Sequence, residues 1–210
     1  MNSNDIPFNL SKGEKFNLTK GSDGDTNFYI GLRWDEPKVA NGLTFDCDAS
    51  VFACAYNRQN NPKLVSRGHF VYFDQLTSSD GAIAHSGDDT TGGETSGDDD
   101  NEQIRFYLDR LHPDVEIMSI IVTIYKAIGK KQNFGQVRNA MIRVCKMDED
   151  GIPTKELFRF NLTDDYSRFT AIQFGDIYRD ENGEWQWHSQ GVGFEKTEIG
   201  DIVKIYYDHQ

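Results

Sequence analysis

The chain has 210 residues, and its 34 acidic and 22 basic residues give a formal net charge of −12 at pH 7. A hydrophobic fraction of 37% excludes wholesale disorder. The acidic balance argues against nucleic-acid binding and against electrostatic docking on anionic membranes, because both need an excess of Lys and Arg. The length allows one or two domains, and because no linker or repeat interrupts it we expect a single domain over residues 1–210.

The N-terminus and the cysteines predict a cytoplasmic protein. Residues 1–10 lack the basic and apolar regions of a signal peptide. The most apolar run, residues 117–128, is broken by polar residues and is too short for a membrane helix, so no direct membrane insertion is expected. Cys47, Cys54 and Cys145 form no CxxC pair, which is typical of reduced, buried thiols.

Period-two alternation of apolar residues dominates the chain and predicts strands. It runs from Phe28 to Trp34, from Phe45 to Ala55, and from Met118 to Ile124, the last with apolar residues on its reverse face as well. Further strands are expected over residues 70–76, 104–108, 140–147, 157–162, 172–178, 185–188 and 202–206. No amphipathic helix of three turns stands out. The pattern predicts an all-β, single-domain antiparallel β-sandwich whose central strand, near Met118, is covered on both sides.

One internal segment, residues 80–102, carries most of the negative charge. It holds eight acidic residues and no Lys or Arg, which leaves 26 acids against 22 bases in the rest of the chain. A solvated acidic loop is the ordinary interpretation of such a run. Here the acids are interleaved with glycine and hydroxyl residues and lie between two predicted strands, which favours a long metal-binding loop.

A second acidic feature lies on the predicted strand that begins near Phe45. Asp46 and Asp48 are two residues apart, so both carboxylates point to the same side of the strand. Taken alone, the pair is more typical of a polar outer face. Combined with the acidic loop, the pair predicts a hard-cation site, with Ca²⁺ favoured over Mg²⁺ because Ca²⁺ accepts six to eight oxygen ligands in flexible geometry. No His or Cys has the spacing of a zinc site.

Enzyme signatures are missing from the sequence. It has no GxSxG elbow, no P-loop and no GxGxxG motif. His85, which borders the acidic loop, is expected to support the site from behind the ligands and not to act as a general base. We therefore expect a protein that is not an enzyme.

Several segments in a fixed order resemble the TerD family of bacterial tellurium-resistance and stress-response proteins. They are residues 31–35 (GLRWD), 45–50 (FDCDAS), 85–92 (HSGDDTTG), 97–99 (GDD) followed by Glu102, and 131–140 (KQNFGQVRNA). The resemblance covers nearly the whole chain. It implies a cytoplasmic, calcium-binding β-sandwich that acts with other Ter proteins in a complex linked to the inner membrane.

The resemblance also implies a ligand set for two Ca²⁺ ions. Carried over residue by residue, the family motif falls on Asp46, Asp48, Asp88, Asp89, Gly97, Asp98, Asp99 and Glu102, and Asp74 stands where an asparagine is usual. The loop is about three residues longer than usual and Asp100 and Asn101 split its last motif, so Asp98, Asp99 and Asp100 all stay candidates.

Three functions remain open on the sequence alone. The first is a non-enzymatic Ca²⁺-binding protein of the tellurite and general stress response, in which the ion orders the acidic loop against the Asp46/Asp48 strand. The second is an interaction scaffold whose calcium is purely structural. The third, which the sequence favours least, is a metal-dependent hydrolase with an open coordination position and a base near His85.

Overall fold

The structure of the protein is a computed structural model that describes residues 7–35, 44–90, 100–161 and 166–207. The strands in these ranges are β1 (Phe8–Leu10), β2 (Lys15–Asn17), β3 (Asn27–Asp35), β4 (Cys47–Tyr56), β5 (Pro62–Leu64), β6 (Phe70–Val71), β7 (Ile83–His85), β8 (Glu102–Tyr107), β9 (Ile117–Ile124), β10 (Arg138–Met147), β11 (Pro153–Asn161), β12 (Phe169–Arg179) and β13 (Trp185–Glu195). The α-helices are α1 (Leu18–Gly21), α2 (Ala127–Lys130) and α3 (Ile199–Tyr207).

The strands form two sheets that pack face to face. One sheet has the order β1-β11-β10-β3-β8-β7, and the other has the order β2-β13-β12-β9-β4-β5, with β6 beside β4. Every strand pair in the described ranges is antiparallel except β1 with β11, which is parallel. The expected mainly antiparallel β-sandwich is therefore confirmed.

The core between the sheets follows the predicted alternation. Phe28, Ile30, Leu32 and Trp34 of β3 face it, and Cys47, Ala49, Val51 and Ala53 of β4 face it from the opposite sheet. β9 lies between β4 and β12, and all eight of its residues are buried. Its inner side chains join the main core, while Ile117 and Ile121 pack under α3 on the outer face. The prediction of a central strand covered on both sides is confirmed.

The strand predicted over residues 202–206 is wrong, because this segment belongs to helix α3. Ile199, Ile202, Val203 and Tyr206 follow the i, i+3, i+4, i+7 spacing of one helix face and pack on the outer face of the seven-stranded sheet. Ile202 and Tyr206, four residues apart, satisfy both the period of a strand and the period of a helix. A helix can cover two strands at once, whereas a strand here would have had to bury Lys204, which is exposed.

The strand predicted over residues 70–76 is confirmed only at its start. β6 ends at Val71, and the chain then turns, with Tyr72 and Gln75 exchanging backbone hydrogen bonds of 3.1 and 3.0 Å. The three cysteines are free and buried, as expected. Among the described helices, none is both long and apolar enough to cross a bilayer.

The packing of α3 predicts very different effects for two isoleucines on the same helix. Ile202 is fully buried and Ile205 is 42% exposed. Replacing Ile202 by Ala should lower the free energy of unfolding by about 2–5 kcal/mol, because it removes buried methyl groups and leaves a cavity. Ile205→Ala is the matched control and should cost less than about 1 kcal/mol. Urea denaturation measures both, and equal losses would contradict the helical packing.

Candidate metal centre

The candidate site is built at an open edge of β4. Between Cys47 and Ser50, β4 pairs with β9 on one side, while β6 and β5 join its other side only from Val51 onward. Two side chains from the opposite sheet bond to the open side. The backbone N–H of Ala49 donates to Glu102 Oε2 at 2.6 Å, and the Ala49 carbonyl oxygen lies 3.2 Å from His85 Nε2. Glu102 and His85 therefore take the place of a neighbouring strand and join the two sheets.

Hydrogen bonds indicate which ring nitrogen of His85 is the donor. Its Nδ1 accepts the backbone N–H of Gly87 at 3.0 Å, so the proton resides on Nε2, which donates to Ala49. Gly87 has φ +104°, a conformation that favours glycine and turns the chain after β7 back over β4. His85 thus joins the loop after β7 to β4, and its Nε2 also lies 3.5 Å from Glu102 Oε2.

Three aspartates meet in front of this edge. Asp46 lies just before β4, Asp48 lies on it, and Asp88 follows β7. Carboxylate oxygens of the three residues lie within 4.8 Å of one another. Two oxygens bound to one Ca²⁺ at ~2.3–2.6 Å are separated by at most about 5 Å, so the triad has the spacing for one ion. The carboxylates of Asp46 and Asp48, two residues apart, thus lie close together on one side of the chain.

The triad carries an excess of negative charge. Burial is the largest cause that raises the pKa of Asp48 to about 8, and the charges of Glu102 and Asp46 add to it. Burial and the charge of Asp88 also raise the pKa of Asp46. Lys130, whose Nζ lies 3.9 Å from Asp46 Oδ2, opposes both shifts. The shifts mark a site where carboxylates repel one another in the absence of a stronger cation.

Two buried carboxylate oxygens indicate which kind of ligand the site can hold. Asp46 Oδ1 and Glu102 Oε1 are buried and have no hydrogen-bond partner in the described part of the chain. A buried polar atom without a partner is unfavourable and calls for an explanation. The donor set around it consists of oxygens, which suits Ca²⁺ or Mg²⁺ and differs from the nitrogen and sulfur set of zinc. The residues present therefore fit a hard divalent cation.

The remaining predicted ligands are placed differently. Asp89 is half-buried, and its Oδ2 accepts from Asn101 Nδ2 at 3.4 Å. Its backbone N–H donates to Glu102, which ties the loop after β7 to β8. Asp74 is exposed in the turn after β6, 3.5 Å from the Tyr72 hydroxyl, and does not join the triad. Gly97, Asp98 and Asp99 lie outside the described residues.

Asp100 lies on the other side of the six-stranded sheet. Its two carboxylate oxygens are 3.0 and 2.8 Å from Arg143 Nε, and it accepts the Tyr29 hydroxyl at 2.7 Å. The carboxylate lies flat on β3, where a Cβ on Gly31 would come within 2.0 Å of it. The structure thus separates Asp100 from the triad while Glu102, two residues later, points toward it.

Sequence reasoning missed two groups that shape this site. Lys130 of the short helix α2 forms an ion pair with Asp46. Asn101 anchors the end of the acidic segment, since its N–H donates to Leu32 and its Oδ1 accepts from the backbone N–H of Trp34. The sequence around neither residue indicates this role, because the partner of each lies far away in the sequence.

Comparison with known proteins identifies the family. A sequence model of the TerD domain matches residues 6–206. This chain belongs to the TerD family. General stress protein 16U of Bacillus subtilis is 35% identical over 204 residues, which cover 97% of each chain. Tellurium resistance protein TerD of Serratia marcescens is 38% identical over 185 residues, which cover 88% of this chain and 90% of that protein.

Solved structures show the same fold. The crystal structure of a TerD homologue from Streptomyces coelicolor A3(2) superposes with a TM-score of 0.60 at 23% identity, covering 86% of this chain and 95% of that one. The resemblance found in the sequence motifs is therefore confirmed for the TerD family and its fold.

The raised pKa of Asp48 predicts that stability depends on pH when no metal is present. Unfolded Asp48 ionises near its ordinary pKa of 3.8, whereas the folded form ionises near 8. The folded state holds the proton between these values, so stability falls as the pH rises through this window. Each unit of difference corresponds to about 1.4 kcal/mol, so the loss should reach a few kcal/mol.

Asp48→Asn removes the titrating group and should flatten this dependence. In EDTA at pH 8.5 or so, the variant should be more stable than the unsubstituted protein, and near pH 5 the two should differ much less. Urea denaturation across this range checks it. If the free energy of unfolding changed with pH in the same way for both proteins, the raised pKa of Asp48 would be contradicted.

Proposed function

We propose that this TerD-family chain is a non-enzymatic Ca²⁺-binding protein of the bacterial tellurite-resistance and general stress response. One observation carries the calcium proposal: Asp46, Asp48 and Asp88 converge within 4.8 Å beside two buried carboxylate oxygens that have no partner in the described residues. The names of its relatives in Bacillus and Serratia support the assignment to stress and tellurium resistance.

The chain's own residues would hold the ion between the start of β4 and the loop after β7. Asp46 and Asp48 are fixed by the start of β4, with 9% and 4% of their surface exposed, while Asp88 comes from the exposed loop after β7. Bound Ca²⁺ supplies positive charge that offsets carboxylate repulsion. Glu102 and His85 keep the Ala49 backbone in place behind the ligands. We expect binding to stabilise the fold by about 2.7 kcal/mol at a hundredfold excess over Kd.

We propose two Ca²⁺ ions, as the family resemblance implies. They would offset four of the eight negative charges in residues 80–102. The triad supplies one cluster of carboxylates, and Asp89 and Glu102 border it. We further propose that the protein works in the cytoplasm with other Ter proteins, in a complex linked to the inner membrane; this rests on the resemblance.

An interaction scaffold with purely structural calcium is the second candidate. The near-complete burial of Asp46 and Asp48 favours it, because an ion held there would join the two sheets permanently. A Kd well below resting cytosolic Ca²⁺ would support this scaffold, and a Kd above it would support a sensor. A hydrolase needs a base near the ion, and both nitrogens of His85 are already bonded to the backbone.

Calorimetric titration tests calcium binding directly. Ca²⁺ should bind to the EDTA-stripped protein and raise its melting temperature. Since the folded Asp48 holds a proton up to about pH 8, binding at pH 7 should release protons, which repeated titrations in buffers of different ionisation heat would measure. Asp46→Asn and Asp48→Asn should each weaken binding at least tenfold.

Asp109→Asn is the matched control, because Asp109 is an exposed aspartate remote from the triad in sequence and fold position. It should bind Ca²⁺ like the unsubstituted protein. A melting temperature that does not change between EDTA and excess Ca²⁺, or equal binding by Asp48→Asn and Asp109→Asn, would refute the calcium site.

A growth assay tests the physiological role. In a bacterium that depends on this protein for tellurite resistance, Asp46→Asn combined with Asp48→Asn should lower the tolerated tellurite concentration several-fold, toward that of the deletion strain. The Asp109→Asn variant at equal abundance should restore growth. Full resistance with the double variant would separate tellurite resistance from the metal centre.

A further inference from the structure

A cavity lies on the outer face of the six-stranded sheet. It has a volume of about 620 Å³, and its walls include Tyr29, Arg143, Cys145, Lys155 and Arg159. β3, β10 and β11 supply these residues. Glu102 points to the opposite side of this sheet, toward the triad, so the cavity is separate from the candidate metal centre.

The cavity gathers positive charge in a strongly acidic chain. Arg143 and Arg159 are direct cross-strand partners on β10 and β11, and the exposed Lys155 adds a third basic group. Among the described residues that line the cavity, Glu156 is the one acidic residue. Like charges placed opposite each other on a sheet are unfavourable. Asp100 and Glu156 offset part of this repulsion, and an anion in the cavity would offset more of it.

Structural carboxylates hold both guanidinium groups in fixed orientations. Asp100, whose side chain is fully buried, contacts Arg143 through Nε. Glu156 binds Arg159 in a bidentate arrangement, at 2.6 Å to Nε and 2.9 Å to Nη2. A guanidinium has five N–H donors, so a group that binds a structural carboxylate can also contact a ligand. The side chains are thus oriented before any ligand arrives, which lowers the entropic cost of binding.

We propose that this cavity binds a small ligand that carries a phosphate-type oxyanion. Arginine forks match the geometry of such oxyanions, and lysine adds a mobile point charge. The volume lies within the range of small-molecule sites, about 300–1,000 Å³, and exceeds what one oxyanion fills. An organic body attached to the oxyanion would contact the Tyr29 side of the cavity. The site does not depend on the proposed calcium function.

Nuclear magnetic resonance titration of the full chain in EDTA tests this site and leaves the calcium proposal aside. The probes are inorganic phosphate, tellurite and adenosine monophosphate. Amide signals of residues 143–145 and 154–156 should shift with saturation, at a Kd of about 1 mM or tighter. Tighter binding of adenosine monophosphate would indicate an organic phosphate, and equal or tighter binding of the inorganic ions would indicate a free oxyanion.

Substitutions distinguish this cavity from general charge attraction. Lys155→Gln combined with Arg159→Gln should weaken binding of the best probe about tenfold or more. Arg168→Gln is the control, since Arg168 pairs with Glu195 on a different surface, and it should leave binding unchanged. Lys155→Gln alone, at an exposed position, provides a variant that keeps the Arg159–Glu156 ion pair and should still weaken binding several-fold. Absent saturation for all three probes, or equal binding by the double variant and Arg168→Gln, overturns the proposal.

Discussion

Carboxylates are crowded at an open strand edge, and the arrangement of the candidate metal centre depends on this constraint. On one side, the first residues of β4 have no strand neighbour within the described ranges, and Glu102 and His85 bond to Ala49 instead. This brings a buried glutamate behind two nearly buried aspartates. The repulsion among these carboxylates is relieved by a proton on Asp48 or by positive charge, and Lys130, at 3.9 Å from Asp46, supplies part of that charge. A divalent cation would supply the rest.

The two clusters of charge in this molecule are related through the end of the acidic segment. Asp100 turns to the outer face of the six-stranded sheet and pairs with Arg143, while Glu102 turns inward and bonds to Ala49. Asn101 lies between them and is anchored to β3 through Leu32 and Trp34. Within three successive residues, the carboxylate of Asp100 lies beside an arginine and the carboxylate of Glu102 lies beside other carboxylates.

Alternation along β3, β4 and β9 was sufficient to predict the sandwich, because each of these strands buries one or both faces completely. Helix α3 was mistaken for a strand, since five residues with apolar positions at 202 and 206 satisfy both periods and Ile199 had to be included to decide. The Asp46–Asp48 pair was predictable because its geometry is local to one strand. The separation of Asp100 from the triad was not, since it depends on Gly31, Tyr29 and Arg143 from two other strands.

The bonding of Ala49 to side chains also bears on self-association. An exposed strand edge is a template on which another chain can add by backbone pairing, and many β-proteins need charged or irregular edges to prevent this. Here the donor and acceptor of Ala49 are already occupied by a carboxylate and an imidazole, and Asp46 and Asp48 place negative charge beside them. A strand from another molecule therefore cannot pair with Ala49. The contacts of Glu102 and His85 that support the candidate metal centre also disfavour polymerisation through this edge of β4.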